Sequence, residues 1–148
     1  MGKYQGCSLS IWGLRERLFS VHSHSTIKEA MKYLCLAYLE EKKLNALSKS
    51  KLEALDKKSL GYDEVLRKSG HYIVSNALQP VRFAATVRNR NGKSFVTDGP
   101  FAETKEQLGG FVLIEARDLN EAIQVAAKIP PGRFGCIEVR PIMELNQQ

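Results

Sequence analysis

The sequence has few cysteines, no long apolar run and little net charge, and each shortage excludes a class of protein. Its 148 residues contain three cysteines, Cys7, Cys35 and Cys136, with no C-x-x-C spacing. An odd number of unclustered cysteines favours reduced thiols over a disulfide framework. No apolar run approaches the ~18–20 residues of a membrane span, and the start has no continuous hydrophobic segment for secretion. We therefore expect a cytoplasmic protein that does not enter the membrane.

The charge distribution does not favour a nucleic-acid partner. The net charge is +6, and residues 1–30 contribute +2 of it, from four basic and two acidic residues, which leaves +4 for the remainder. The densest basic stretch, residues 42–58, is diluted by Glu53 and Asp56 and has no interleaved aromatics, as in a solvated helix face. The sequence has no glycine-rich phosphate loop or metal-ligand cluster, and His22-x-His24 lacks a third ligand. We expect neither a cofactor nor a metal.

Residues 1–30 have no clean strand alternation, and three interpretations stay open. The segment is an amphipathic helix that packs on the domain or on a partner, an organelle transit segment, or an extension that is not translated. In the last case translation begins at Met31, because Lys28-Glu29 can be encoded by a ribosome-binding sequence. We expect residues 1–30 to be a disordered extension or a start-site artefact, and residues 31–148 to be the working domain.

From Met31 onward, strand patterns alternate with helix patterns. The run MKYLCLAY, residues 31–38, is apolar on both faces and predicts a central strand. From about residue 44 to residue 68 apolar residues recur at steps of three to five, which predicts one long amphipathic helix ended by Gly70. Residues 71–78 predict a second strand, which Pro80 ends because proline removes a ladder donor.

A hairpin, a strand and a second helix complete the pattern. Residues 84–90 and 93–97 are joined by Asn91-Gly92, which tolerates the positive φ angles of a type I′ turn. Residues 111–116 predict a strand, Asp118 with Glu121 predicts a helix start, and residues 136–142 predict a final strand. This α+β order is the ferredoxin-like split βαβ plan with an inserted β-hairpin. Since helices cover only one face of such a sheet, we expect a homodimer that buries the other.

The stretch TDGPFAETKEQLGG, residues 97–110, has two interpretations. DGP is turn chemistry, and Thr104 with Gln107 has the spacing of a capped short helix that the glycine pair ends. Alternatively, the stretch is a proline-stiffened loop that holds the Asp98 carboxylate at a strand end, with Phe101 and Lys105 nearby. Loops on rigid scaffolds are where sites tend to lie.

DGPFAETKEQLGGFVLIEA, with MKYLCLAY, ALQP and TVRNRNGK upstream and IPPGRFGCIEVRPIME downstream, resembles the DGPF branch of the YCII-related family from Met31 to Glu144. The resemblance implies a ferredoxin-like fold that forms a dimeric α/β barrel. In smaller relatives a helix histidine and a strand-end aspartate have been suggested as a catalytic pair. Asp98 matches the aspartate, but the helix of this chain has no histidine, and Ser59 lies near that position.

The resemblance makes Asp98 the candidate catalytic residue, and the candidate substrate-binding residues are Ser59, Tyr62, Phe101 and Lys105. Ser59 and Tyr62 line a polar recess if the long helix faces Asp98; otherwise they are a tolerated serine and a core tyrosine. Two functions follow. One is a small-molecule-binding protein or cofactor-free enzyme that acts on a small organic ligand. The other is an accessory module, because DGPF-type domains are often encoded beside, or joined to, sigma-factor-like proteins.

Overall fold

The computed structural model describes residues 30–145, so the predictions for residues 1–29 lie outside the described part of the chain. The strands are β1 (Met31–Leu39), β2 (Tyr72–Ala77), β3 (Ala85–Arg90), β4 (Lys93–Asp98), β5 (Gln107–Ala116) and β6 (Gly135–Pro141). The helices are α1 (Glu41–Asn45), α2 (Lys49–Lys68) and α3 (Leu119–Ala126).

Four strands form one antiparallel sheet in the order β2-β5-β1-β6. Strands β1 and β2 are thus parallel to each other with β5 between them, and β5 and β6 are parallel with β1 between them. Helices α1 and α2 connect β1 to β2, and α3 connects β5 to β6. The sheet therefore contains two interleaved split βαβ units. This confirms the predicted ferredoxin-like α+β plan. Within residues 30–145, strands β3 and β4 pair only with each other and form the inserted hairpin.

Local sequence signals place several element ends where they were predicted. Asn91 and Gly92 have φ angles of 50° and 73°, as a type I′ turn requires. The Asp118 carboxylate accepts a hydrogen bond from the amide of Glu121 at 2.9 Å and caps α3. Gly70, at φ 78°, follows α2 and completes a C-terminal cap in which the His71 amide donates to the Leu66 carbonyl.

Two predicted helices differ in the structure. The long helix is divided, because residues 46–48 leave the helical conformation and Ser48 begins α2 with an extended backbone. The step of five residues from Leu47 to Leu52 already departs from the helical period. The short helix predicted to begin at Thr104 and to end at Gly109-Gly110 is wrong. A single turn has no packing to support its costly nucleation, and residues 107–110 extend β5 beside β1 instead.

The core lies between the sheet and the helices. Tyr33, Cys35 and Ala37 of β1 and Ile114 of β5 are buried on this side, against Ala122 of α3 and its neighbours. The opposite side of the sheet carries no helix of the described residues. We call it the open face; it presents half-buried Leu34, Leu36, Tyr38, Phe111 and Leu113. No helix within residues 30–145 is long and apolar enough to cross a membrane.

Candidate functional site

A cavity of about 710 Å³ lies where the hairpin meets the end of the main sheet. We call it the hairpin pocket. Tyr38 of β1 and Leu108 of β5, which are paired across the sheet, form one wall. The first residues of β3 form a second wall, and Pro100 and Phe101, from the loop after β4, form a third. The pocket thus joins three chain segments that are distant in sequence.

Backbone contacts fix the loop that follows Asp98. The Gly99 amide donates to the carbonyl of Ala84 at 2.7 Å, and the hydroxyl of Thr86 donates to the carbonyl of Gly99 at 2.9 Å. Gly99 has a φ angle of 87°, which favours glycine. Arg88 extends a guanidinium nitrogen to 3.4 Å from the carbonyl of Phe101. The loop is therefore attached to β3, and this attachment positions Phe101 at the pocket.

The second half of the loop is held by its own side chains. The Thr104 hydroxyl donates to the carbonyl of Glu106 at 2.6 Å, and the Gln107 amide group donates to the carbonyls of Ala102 and Thr104. The same two residues that suggested a capping box thus form a turn at the entrance to β5. Their side chains form hydrogen bonds within the loop. The Glu106 carboxylate instead accepts a hydrogen bond from the thiol of Cys136 in β6 at 3.2 Å.

Cys136 lies on the open face, opposite Tyr38 in the β1–β6 register. The hydrogen bond to Glu106 raises the pKa of the Cys136 thiol above its ordinary value. A raised pKa keeps the thiol protonated at neutral pH, so Cys136 acts as a donor to the carboxylate.

Asp98 ends β4 opposite Ala85, in an exposed position. The register places it on the same face of the hairpin as Val87 and Val96. Within residues 30–145 its carboxylate makes no hydrogen bond or ion pair. Asp98 therefore stands beside the loop that walls the pocket, but it is not part of the pocket lining.

Lys105 lies outside the pocket lining and contacts the end of β1. Its ammonium is 3.7 Å from the carboxylate of Glu40, whose side chain is only 12% exposed. The hydrogen bond from Lys43, together with Lys105, lowers the pKa of Glu40. The Lys105 side chain is 78% exposed, so this pair contributes little stability but ties the loop to the main sheet.

Ser59 and Tyr62 lie on α2, on the helical side of the sheet. The Ser59 hydroxyl donates to the Leu55 carbonyl one turn back, at 3.0 Å. The Tyr62 hydroxyl donates to the carbonyl of Val125 in α3 at 2.8 Å, and its ring packs against the core. Neither residue lines the hairpin pocket. Of the five candidate residues, the structure brings Phe101 into the pocket and Asp98 to its neighbourhood.

His71, which precedes β2, lies beside the carboxylate of Glu121 and not beside that of Asp98. His71 lies 3.7 Å from Glu121, and its other ring nitrogen is 2.7 Å from the hydroxyl of Ser69. This cluster joins the end of α2 to the start of α3 and does not include Asp98. Among residues 30–145, no group of three His, Cys, Asp or Glu side chains is arranged to hold a metal ion.

Glu106, Tyr38 and Cys136 are not among the site residues that the sequence patterns predict. Glu106 lies within the stretch TDGPFAETKEQLGG, so this stretch contains the carboxylate that lines the pocket as well as Asp98, which lies beside it. Tyr38 belongs to an apolar strand pattern. It becomes a wall of the hairpin pocket because the hairpin lies against the end of the main sheet in the folded chain.

Two comparisons with known proteins connect the chain to a family. The statistical model of the YCII-related domain matches residues 31–146. The chain is also similar to an uncharacterised protein of Rhizobium meliloti, with 37% identity over 114 residues. That match covers 76% of this chain and 92% of the relative.

Proposed function

We propose that this chain, which belongs to the YCII-related domain family, is a cytoplasmic homodimer that binds a small organic molecule in the hairpin pocket without a cofactor. The hairpin pocket carries the proposal. Its volume of about 710 Å³ lies within the ~300–1,000 Å³ range of ligand sites. Apolar side chains make up most of the lining, with a few polar groups from the loop, as expected for a site that orients a small molecule.

Asp98 is the candidate residue for acting on the bound molecule. It precedes the loop whose backbone is fixed to β3, so its position relative to Phe101 is defined. A general base needs a partner that positions or accepts the proton, and α2 supplies no histidine. We therefore assign Asp98 the role of orienting the ligand, or of acting as a single base.

The homodimer is proposed from the open face. Leu34, Leu36 and Leu113 form its apolar centre, and the ion pairs Lys32–Glu144 and Arg140–Glu138 place charges of both signs at its border. A surface of this kind is suited to a second copy related by two-fold symmetry, because the same apolar patch on each copy can pack against the other. Two such sheets packed face to face form a dimeric α/β barrel, and the second copy borders the hairpin pocket through Tyr38.

Thermal unfolding tests the small-molecule site. The full chain and its Asp98→Asn variant are heated with small carboxylates, lactones and phenols, and Asp56→Asn, an exposed α2 carboxylate, is the matched control. A ligand that binds the folded state raises the midpoint by mass action. We expect such a rise in the parent and in the control, with a smaller rise in Asp98→Asn. An equal rise in all three removes Asp98 from the proposal, and no rise with any compound contradicts the site.

The molar mass of the protein, measured by light scattering after size-exclusion chromatography, tests the dimer. We expect twice the chain mass for the parent. Leu36→Glu, which places a charge at the centre of the open face, should give a single-chain mass. Leu60→Glu is the control, because Leu60 is 66% exposed on the outer side of α2. A dimer that survives Leu36→Glu contradicts the proposed interface.

An accessory module linked to sigma-factor-type regulation is the second candidate, and one observation favours it. Phe101, Phe83, Val87 and Val96 expose more than half of their surface around the hairpin. Such a patch suits a protein partner. If no ligand is found and Asp98→Asn is strongly destabilised, the hairpin is tested against a purified sigma-factor-type protein. Phe101→Ser should then weaken binding, whereas Met143→Ser, with the same 81% exposure, should not.

A further inference from the structure

Among the described residues, one acidic side chain lines the hairpin pocket. Of the described residues that line it, only Glu106 carries a charge, and that charge is negative. The surrounding side chains are largely apolar or aromatic, including Tyr38, Phe83 and Phe101. A carboxylate in such surroundings has lost part of its hydration, and a cationic partner restores the lost interaction.

Three of the other polar side chains of the pocket are already engaged, whereas Gln79 and the Tyr38 hydroxyl are neutral groups with no hydrogen bond to residues 30–145. The hydroxyls of Thr86 and Thr104 and the amide group of Gln107 all donate to backbone carbonyls of the loop. The Glu106 carboxylate accepts from the thiol of Cys136 through one oxygen. Within residues 30–145 no hydrogen bond or ion pair reaches its second oxygen. Among the described lining residues, Glu106 is therefore the acidic side chain, and one of its oxygens is free to accept from a ligand.

We propose that the hairpin pocket selects an apolar ligand that carries an amine, with the Glu106 carboxylate as the counter-ion of the ammonium. The aromatic rings of Phe101 and Tyr38 favour a cation for the same electrostatic reason, since ring faces attract positive charge. An anionic ligand of the same shape is repelled by Glu106, because no lysine or arginine among the described residues lines the pocket. This inference rests on the proposed small-molecule site and adds the class of ligand.

Three compounds of nearly equal size test the inference. Calorimetric titration of the full chain uses 2-phenylethylamine, 2-phenylethanol and phenylacetate. We expect the amine to bind at least tenfold more tightly than the alcohol, and phenylacetate to bind most weakly. This comparison is made on the unaltered protein, so it does not depend on the folding of a variant. Equal affinity for amine and alcohol, or tighter binding of phenylacetate, overturns the inference.

The variant Glu106→Gln keeps the size and the hydrogen-bonding geometry but removes the charge. It should lose the preference for the amine over the alcohol. Glu103→Gln is the matched control, because Glu103 belongs to the same loop, is exposed and does not line the pocket. Its preference should equal that of the parent. A preference that survives Glu106→Gln, or that is lost equally in Glu103→Gln, contradicts the role of Glu106.

The outcomes separate this inference from the proposed function. If a carboxylate, lactone or phenol binds the pocket and no amine does, the small-molecule site stands and the assignment to amines is wrong. If neither those compounds nor the amine binds, both proposals are wrong.

Discussion

Replacing Tyr62 by Phe tests whether Tyr62 stabilises the fold or binds a ligand. The hydroxyl of Tyr62 in α2 donates to the carbonyl of Val125 in α3. Burial, with a contribution from Cys35, raises the pKa of this phenol above its ordinary 10.0, so it remains a donor at neutral pH. The variant removes the hydroxyl and keeps the ring that packs on the core. The predicted cost is therefore that of one hydrogen bond.

The magnitude follows from what remains at Val125. A typical hydrogen bond contributes about 0.5–1.5 kcal/mol to stability. The Val125 carbonyl also accepts from the amide of Lys128 at 3.1 Å, so it is not left without a partner. We expect Tyr62→Phe to lower the free energy of unfolding by about 1 kcal/mol, which corresponds to roughly 4 °C in a domain of this size.

Urea unfolding at one fixed protein concentration measures this effect, since association couples stability to concentration. Tyr38→Phe is the matched control. It makes the same chemical change at the hairpin pocket, where the Tyr38 hydroxyl has no hydrogen bond to residues 30–145. We expect Tyr38→Phe to alter ligand binding with little change in the urea midpoint, and Tyr62→Phe to do the reverse. An unchanged midpoint for Tyr62→Phe, together with a lost ligand response, would refute the assignment of Tyr62 to the fold.

Three further changes test other parts of the structure. Glu121→Gln should lower stability at pH 7, because the hydrogen bond from the Arg117 amide holds the pKa of the Glu121 carboxyl below its ordinary 4.5. This stabilisation is complete above pH 4.5 and is lost as the pH falls through the folded value, so the difference should close during acid titration of stability; a difference that widens contradicts it. Ile114→Ala, at a fully buried position, should cost about 2–5 kcal/mol in urea unfolding and Ile114→Val about 0.5–1.5 kcal/mol, and equal costs would contradict the packing. Gly135→Ala should lower the midpoint of thermal unfolding, because the new methyl group meets the Tyr38 carbonyl across the β1–β6 ladder; a parental midpoint contradicts that close approach.

The sequence predicts the architecture well because its hydrophobic periods change sharply. The two-sided apolar run at Met31 predicts a strand with neighbours on both sides, and β1 lies inside the sheet. The Asn91-Gly92 pair and the Asp118 cap act through local geometry, so they are visible without tertiary information. These signals together give the ferredoxin-like order.

The sequence-based predictions fail where contacts between distant segments determine the local structure. Thr104 and Gln107 have the spacing of a helix cap, but the adjacent β1 edge offers residues 107–110 a ladder instead. Tertiary packing also explains Gly109, because a Cβ atom added at this position would lie 2.7 Å from the Leu39 side chain. The hairpin pocket was not predictable for the same reason: Tyr38, Phe83 and Phe101 become neighbours only after the chain has folded.

The separation of the hairpin from the main sheet gives the domain two levels of local stability. In the described part of the chain, strands β3 and β4 pair only with each other, whereas β1 and β5 each have a strand on both sides. An isolated two-stranded hairpin is marginal in water, so its amide hydrogens should exchange with solvent through local openings that leave the sheet intact. Such openings close again spontaneously, and a contact at the hairpin favours the closed form. Part of the free energy of any contact at Phe101 or Val87 is therefore spent on closing residues 85–98, and hydrogen exchange in that segment reports occupancy of the hairpin before any change is seen in the core.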